Sequence, residues 1–329
     1  MRLLESASEH SMSSSPAIVV SDLRKHFGEV QAVDGLSFEV YAGEIFGLVG
    51  PDGAGKTTTL RMLAGVLGAD SGTAEVAGCD VIRDPERAKS LLSYMSQRFG
   101  LYEDLTVDEN IRFYADLFGV PRKRRIQRSQ ELLAAAGLSD FRSRLAGNLS
   151  GGMKQKLGLV CALTHTPKVL LLDEPTNGVD PISRRDFWRI LYSLLAEGVA
   201  ILDSTSYLDE AERCHRVGLL YGGRMLLCDR PEELKKRFPG EILAVHTAQA
   251  EQVRKVLTGA PGVRSALLVG DHVHLFVDDS ARRIADLRAR LESAGAAYDS
   301  FQAVGASIED LFVSAVESGP ASPLGVKTL

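Results

Sequence analysis

The stretch Gly50-Pro51-Asp52-Gly53-Ala54-Gly55-Lys56-Thr57 fits the phosphate-loop pattern G-x-x-x-x-G-K-[ST] and decides the fold. It follows the apolar run Ile45–Val49, which predicts a buried strand, and leads into residues 57–65, which have helical character. Glycines let successive backbone N–H groups turn toward phosphate oxygens, and the helix N-terminus favours the same anions. Lys56 places a positive charge near the β- and γ-phosphates, and the Thr57 hydroxyl is a suitable Mg²⁺ ligand.

A second motif lies at the end of the apolar run 169–172, where Asp173 and Glu174 follow directly. A carboxylate at the end of a buried strand can hold the Mg²⁺ that bridges nucleotide phosphates, which is the role we predict for Asp173. The neighbouring Glu174 is placed to polarise an attacking water. Because phosphoryl transfer needs both motifs, we interpret them together as the site of a P-loop NTPase.

Strands and helices alternate through most of residues 16–238, which predicts an α/β domain with a mostly parallel sheet. Within it, residues 97–164 are rich in helix formers and predict an inserted helical subdomain. The basic run 122–125 is interpreted as a solvated helix start, the alternatives being contact with nucleic acid or lipid head groups. Residues 1–15 are predicted to be a flexible Ser-rich arm, and residues 319–329 a frayed tail.

Residues 240–318 predict a small α+β accessory domain whose βαββαβ order is that of ferredoxin-like folds. Gly270-Asp271 is typical of a two-residue hairpin turn between two of its strands. His272 and His274 share one face of a strand. Because no third ligand accompanies them, we interpret both histidines as surface residues rather than as a metal site.

The composition is that of an ordinary globular protein and argues against several functional classes. The 329 residues are 45% hydrophobic and 25% charged, and the net charge of −5 argues against binding nucleic acid through its phosphates. No apolar run reaches the roughly 18 residues that a membrane-spanning helix needs. The four cysteines are far apart and lack metal-ligand spacing, so we predict free thiols in a reducing cytosol.

The segment Leu149-Ser150-Gly151-Gly152-Met153-Lys154-Gln155 resembles the LSGGQ signature of ATP-binding-cassette (ABC) proteins. With the phosphate loop and the segment LLLDEPTNGVDP at 170–181, the resemblance covers about residues 16–238. It implies binding of ATP with Mg²⁺, ATP hydrolysis, and two cassettes that sandwich two ATP molecules head to tail. It also implies separate polytopic permease subunits and a place on the cytoplasmic face of the cell membrane. The C-terminal domain, with its segment 307–312, resembles that of bacterial exporters in the drug-resistance and efflux group.

The resemblance implies roles for individual residues as well. Phe27 matches the aromatic residue that stacks on adenine, Gln97 the glutamine that binds Mg²⁺ and positions water, and Glu174 the catalytic carboxylate. The residues expected to bind the subunit's own ATP are Phe27, Gly50, Pro51, Asp52, Gly53, Ala54, Gly55, Lys56, Thr57 and Thr58, with Thr57, Gln97 and Asp173 at the metal. Those expected to reach the ATP of the opposite subunit are Leu149, Ser150, Gly151, Gly152, Gln155 and Asp180.

Two positions depart from the family's pattern. Asp52 replaces the usual asparagine, and an extra carboxylate near the phosphates should weaken nucleotide binding unless it faces solvent or a cation. Ser206 replaces the histidine that reaches the γ-phosphate. The serine side chain is shorter than that of histidine, and its hydroxyl cannot carry an extra proton at neutral pH. We therefore predict a slow site that works beside a second cassette, and favour a non-identical partner over a homodimer. A regulatory subunit with little turnover is the alternative function.

Overall fold

The computed structural model of the protein describes residues 15–97 and 100–318, which form two compact units. One unit extends to Cys228 and the other begins at Asp229. This boundary precedes the predicted one at residue 238 because the short helix Pro231–Lys236 contacts the last helix, Ile308–Ser318, in the second unit. The predicted arm up to residue 14 and the predicted tail from residue 319 lie outside the described residues.

The first unit contains two sheets. Its strands are β1 (Ile18–Phe27), β2 (Val30–Val40), β3 (Ile45–Val49), β4 (Ser71–Val76), β5 (Cys79–Asp80), β6 (Leu92–Met95), β7 (Val169–Asp173), β8 (Ala200–Thr205), β9 (Arg216–Tyr221) and β10 (Arg224–Asp229). The central six-stranded sheet has the order β10-β9-β3-β8-β7-β6, and a four-stranded antiparallel sheet has the order β2-β1-β4-β5. Strands β3 and β7 are buried along their whole length, which explains the apolar runs 45–49 and 169–172.

The parallel pairing of the central strands positions the functional residues. Strand β3 pairs in parallel with β8 and β9, and β7 pairs in parallel with β6 and β8. The carboxyl ends of β3, β7 and β8 therefore meet at one edge of the sheet, where ligands bind in open α/β folds. The residues that follow these ends are Gly50, Glu174 and Ser206. The predicted α/β class with a mostly parallel sheet is confirmed.

The helices of the first unit are α1 (Lys56–Leu63), α2 (Pro85–Leu91), α3 (Val107–Leu117), α4 (Arg122–Ala136), α5 (Gly151–Leu163), α6 (Pro181–Leu195) and α7 (Leu208–Ala211). Helices α3, α4 and α5 lie between β6 and β7 in the sequence and pack against one another. They form the predicted helical insert. A capping box starts α3: the Thr106 hydroxyl accepts the Glu109 N–H at 3.2 Å, and the Glu109 carboxylate accepts the Thr106 N–H at 2.9 Å.

The second unit follows the predicted βαββαβ order. Its elements are α8 (Pro231–Lys236), β11 (Glu241–His246), α9 (Ala250–Leu257), β12 (Val263–Val269), β13 (His272–Val277), α10 (Ser280–Ser293), β14 (Ser300–Val304) and α11 (Ile308–Ser318). The strands form an antiparallel sheet of order β12-β13-β11-β14. Val253, Leu257, Leu287 and Leu291 of α9 and α10 join the core on one face of this sheet.

One histidine of the second unit is not where the sequence placed it. His274 is only 7% exposed, so its interpretation as a surface residue is wrong. Its Nδ1 lies 2.9 Å from the Asp310 carboxylate, which α11 carries onto this face of the sheet. The pairing satisfies the buried imidazole without a metal ion.

Two expectations from composition can be compared with the structure. All four cysteines are free thiols, and Cys79, Cys161 and Cys214 are buried. Among residues 15–97 and 100–318, no helix combines the length and the apolar character that crossing a bilayer requires.

Candidate functional site

The phosphate loop needs glycine at two of its positions. A side chain at Gly50 would place its Cβ 2.3 Å from the Leu220 carbonyl oxygen, and at Gly55 2.4 Å from that of Ala32. Gly55 also has φ of +102°, a backbone conformation that L-residues rarely adopt, immediately before α1 begins at Lys56. The loop therefore takes its tight shape from these glycines and ends at a helix N-terminus, which favours bound anions.

Lys56 folds back over the loop. Its Nζ donates to the carbonyl oxygens of Gly50 at 2.7 Å and Pro51 at 3.1 Å, and lies 3.2 Å from Glu174 Oε1. The side chain is only 4% exposed. A buried ammonium group so placed brings a positive charge to the mouth of the phosphate loop and to the candidate base at once.

The Asp173 carboxylate accepts hydrogen bonds from hydroxyl groups on three neighbouring elements. Its Oδ1 accepts the Thr57 hydroxyl at 2.8 Å and the Ser204 hydroxyl at 2.9 Å, and its Oδ2 accepts the Tyr94 hydroxyl at 3.0 Å. Burial, followed by the charge of Asp173, raises the pKa of Tyr94 to about 12, so this phenol stays a donor. Ser204 and Tyr94 were not among the predicted site residues; the available signal was that polar residues lie near the carboxyl ends of β8 and β6.

Glu174 follows β7 with φ of +49°, which is uncommon for a residue other than glycine. Its N–H donates to the Ser204 carbonyl oxygen at 3.0 Å, which holds this conformation. Its Oε2 accepts the Gln97 amide at 3.2 Å and the Asn177 amide at 3.3 Å. Backbone strain of this kind is concentrated at functional sites. The structure thus brings two predicted residues, Lys56 and Gln97, into contact with the carboxylate of a third, Glu174.

The signature lies at the start of α5. The Ser150 hydroxyl caps this helix by accepting the Met153 N–H at 3.3 Å, and Ser150 and Gly151 are exposed. A Cβ at Gly152 would lie 2.3 Å from the Ser183 Oγ of α6, so a glycine is required there. The small exposed residues leave the N-terminus of α5 open to an anion.

The other residues predicted to act across a pair of cassettes divide into two groups. Asp180 is exposed and caps α6, accepting the N–H groups of Ile182 at 3.1 Å and Ser183 at 2.9 Å. These bonds hold its pKa below the ordinary value. Leu149 and Gln155 are 6% and 3% exposed, so the structure does not place them on the surface with Ser150.

The predicted adenine contact and the altered loop residue are both accessible. Phe27 ends β1 and is 51% exposed, with the Lys25 ammonium 5.7 Å from its ring centroid. Asp52 is exposed at the tip of the phosphate loop, so its carboxylate faces solvent. Ala54 is buried, and Thr58 lies half-buried in the first turn of α1.

Ser206 is half-buried beyond the end of β8, and His215, the next histidine along the chain, does not take its place. His215 Nδ1 accepts the N–H of Ile45 at 3.2 Å, at the start of β3. The phosphate loop follows the other end of β3, about 13 Å away at the usual rise of a strand. His215 is therefore remote from the phosphate loop.

Two buried carboxyl groups support the edge of the sheet that carries the site. Glu210, which is 0% exposed, accepts the Thr176 hydroxyl at 2.5 Å and the Thr205 hydroxyl at 2.9 Å, and so ties the loop after β7 to the end of β8. Asp203 is also 0% exposed, and neither carboxyl oxygen has a hydrogen-bond partner among the described residues. Burial, and then the charges of Glu210, Asp173 and Glu174, raise the pKa of Asp203 well above its ordinary value.

The fold and the site together define a P-loop NTPase cassette, in which a phosphate loop, an acidic strand end and an exposed glycine signature share one unit. The family model described as ABC transporter matches residues 33–177. A solved structure described as the ATP binding subunit of an ABC transporter matches with a TM-score of 0.63 and 30% identity, over 68% of this chain and 93% of that chain.

Curated ATP-binding proteins of transporters are also similar to this chain. The chain is 48% identical over 269 residues to the probable multidrug ABC transporter ATP-binding protein YbhF of Escherichia coli, covering 80% of this chain and 46% of that protein. It is 36% identical over 302 residues to the Nod factor export ATP-binding protein I of Ralstonia nicotianae, covering 91% and 94%. It is 39% identical over 251 residues to the daunorubicin/doxorubicin resistance ATP-binding protein DrrA of Streptomyces peucetius, covering 75% and 76%. The chain therefore belongs to the ABC transporter family of ATP-binding proteins, although it spans about half the length of the first of these relatives.

Proposed function

We propose that the chain is the ATP-hydrolysing cassette of an ABC exporter. The observation that carries this proposal is the contact between Thr57 and Asp173 at 2.8 Å and between Lys56 and Glu174 at 3.2 Å, at the carboxyl edge of a parallel sheet. Export is supported by the names of the relatives, which are a multidrug transporter protein, a Nod factor export protein and a daunorubicin/doxorubicin resistance protein.

In the proposed reaction the nucleotide phosphates would draw Lys56 away from Glu174, because they carry more negative charge than one carboxylate. The phosphate loop and the start of α1 would bind the same phosphates through backbone N–H groups. Glu174, released from its ion pair, would accept a proton from the water that attacks the γ-phosphate. Phe27, exposed at the end of β1, would stack on the adenine.

The residues present fit a Mg²⁺ ion. Thr57 and Asp173 already lie within hydrogen-bond distance of each other, and Gln97 supplies an amide oxygen nearby. Mg²⁺ prefers one or two carboxylates and fills its other positions with water and phosphate oxygens. When bound, the ion neutralises charge that develops on the phosphates.

A second cassette would complete the site, because Ser150 and Gly151 are exposed at the N-terminus of α5 and available to the ATP of another subunit. ATP would hold the pair closed and hydrolysis would let it open. Separate permease subunits would convert this motion into transport, with the cassettes on the cytoplasmic face of the membrane. We favour a non-identical second cassette, since Ser206 leaves this chain's own site without the usual histidine and therefore slow.

Steady-state ATPase activity of the purified chain, alone and with candidate permease and cassette partners, tests the proposal. We expect Glu174→Gln to lower the rate at least about 100-fold, because it removes the general base. Binding of a fluorescent ATP analogue should persist in this variant. Glu197→Gln is a matched control, since Glu197 pairs with Arg128 outside the site. Equal rates in the wild type and in Glu174→Gln would contradict the proposal.

A further inference from the structure

We infer that Asn177 and Tyr207 form a positioning relay that holds the Glu174 carboxylate during hydrolysis. The inference rests on the proposed function, in which Glu174 is the base. Neither residue belongs to the phosphate loop, to the carboxylates that follow β7 or to the glycine signature. Both lie in the loops that follow β7 and β8, at the edge of the sheet that carries the site.

The hydrogen bonds of the relay have one direction. The Tyr207 hydroxyl lies 3.3 Å from Asn177 Oδ1, and Asn177 Nδ2 lies 3.3 Å from Glu174 Oε2. The phenol therefore donates to the amide oxygen, and the amide nitrogen donates to the carboxylate. A flipped Asn177 amide would point its oxygen at the carboxylate and its NH₂ group at the phenol. The Glu174 carboxylate, which can only accept, therefore fixes the orientation of Asn177, and the Tyr207 hydroxyl donates to the amide oxygen that this orientation presents.

Asn177 is the partner of Glu174 that nucleotide binding leaves in place. Oε1 of Glu174 contacts Lys56 at 3.2 Å, and Oε2 accepts from Gln97 at 3.2 Å as well as from Asn177. In the proposed reaction Lys56 would turn to the phosphates, and Gln97 would be among the residues that hold Mg²⁺. Asn177 then keeps Oε2 occupied, which leaves Oε1 facing the phosphate loop as the acceptor of the water proton.

Tyr207 is itself firmly held, as a positioning residue must be. Its N–H donates to the Thr205 hydroxyl at 3.0 Å, and that hydroxyl donates to the buried Glu210 carboxylate at 2.9 Å. The Arg184 guanidinium lies 4.8 Å from the centroid of the Tyr207 ring. The relay therefore connects Glu174 to the rigid end of β8, beside the serine that replaces the usual histidine.

Single-turnover hydrolysis of ATP by the full chain together with its candidate permease and cassette partners, with these proteins in excess over ATP and Mg²⁺ present, tests the relay. We expect Asn177→Ala to slow hydrolysis about tenfold, which is the loss of one hydrogen bond to a charged acceptor. ATP affinity should stay within about twofold, since Asn177 is exposed and holds no phosphate-loop residue. Tyr207→Phe should slow hydrolysis about threefold, and the double variant should be no slower than Asn177→Ala, because the tyrosine acts through Asn177.

An isostere that cannot donate separates the hydrogen bond from the packing of the side chain. Asn177→Asp keeps the shape of asparagine and replaces its NH₂ donor with an oxygen, so hydrolysis should slow at least as much as in Asn177→Ala while ATP affinity stays within about twofold. Tyr192→Phe is the matched control, because it removes a hydroxyl that donates to the Arg213 carbonyl oxygen at 2.9 Å outside the relay. Its rate should equal that of the wild type.

The outcomes separate this inference from the function on which it rests. Wild-type rates in both Asn177 variants would overturn the relay, while a rate lost only in Glu174→Gln would leave the proposed function standing. An Asn177→Ala variant that loses ATP affinity and thermal stability as much as rate would also overturn it. If the wild type and Glu174→Gln did not differ, the proposed function and the relay would both fail.

Discussion

We expect Asp203→Asn to remove a pH-dependent loss of stability from the first unit. Asp203 is fully buried in β8, and neither carboxyl oxygen has a hydrogen-bond partner among the described residues. Burial, reinforced by the charges of Glu210, Asp173 and Glu174, raises its pKa well above the ordinary value. In the unfolded chain an aspartate has a pKa of about 3.9. The folded protein therefore holds a proton that the unfolded chain releases.

The size of the effect follows from this difference in bound protons. As pH rises above about 4, the unfolded chain loses the proton and the folded protein keeps it, so the free energy of unfolding falls. The fall continues until the folded-state pKa is passed, and its slope for one proton is about 1.4 kcal/mol per pH unit. Asparagine has nearly the same shape and does not titrate. The stability of Asp203→Asn relative to the wild type should therefore grow with pH, by up to this amount per pH unit, until the folded-state pKa is passed.

Urea unfolding at pH 5, 6 and 7, followed by tryptophan fluorescence, measures this slope. Trp188 is the single tryptophan of the chain and is 1% exposed in α6, so its emission reports on the first unit. Asp104→Asn, at an exposed carboxyl group, serves as the control and should leave the pH dependence of the wild type unchanged. A difference between Asp203→Asn and the wild type that stays constant from pH 5 to 7 would refute the reasoning.

Two further predictions concern the same edge of the sheet. Ser206→His should speed ATP hydrolysis about tenfold with all partners present, because an imidazole there would reach the γ-phosphate and hold the attacking water. Ser206→Ala is the control, and an unchanged rate of hydrolysis in Ser206→His would count against a slow site. Glu210→Ala should lower the free energy of unfolding by about 3 kcal/mol, because the hydroxyls of Thr176 and Thr205 lose a buried charged acceptor. Glu210→Gln should lower the free energy of unfolding by about half as much, since an amide keeps one acceptor. Urea unfolding followed by tryptophan fluorescence measures both variants. Equal stability of the wild type and the two variants would show that Glu210 does not stabilise the contact between these segments.

Much of the first unit could be predicted because its local patterns are strong. The phosphate loop combines required glycines with a following helix, and the apolar run Ile45–Val49 coincides with β3. The pairing of Thr57 with Asp173 could be expected, since parallel strands bring their carboxyl ends together. The remaining contacts of Asp173 were not predicted, because Tyr94 and Ser204 belong to no local motif and their side chains meet the carboxylate only in the folded sheet.

Burial was the least predictable property. His274 and Gln155 carry polar side chains that the sequence analysis assigned to surfaces, yet both are buried, because α11 covers the first and the packing of α5 encloses the second. A polar side chain is tolerated inside when a distant partner satisfies it, and that partner is chosen by the fold. Asp203 shows the opposite case, since its strand buries it without a partner.

The amino-acid sequence by itself determined the class of this protein, since a phosphate loop, an Asp-Glu strand end and a glycine signature are local patterns whose chemistry needs no knowledge of distant contacts. It also determined the alternation of strands and helices, through the periodicity of apolar residues. The tertiary structure alone decided which side chains surround Glu174, which carboxyl groups are buried, and how the strands of the second unit are ordered. These properties depend on side chains brought together from separate elements, because packing, unlike periodicity, is a relation between residues that are remote in the chain.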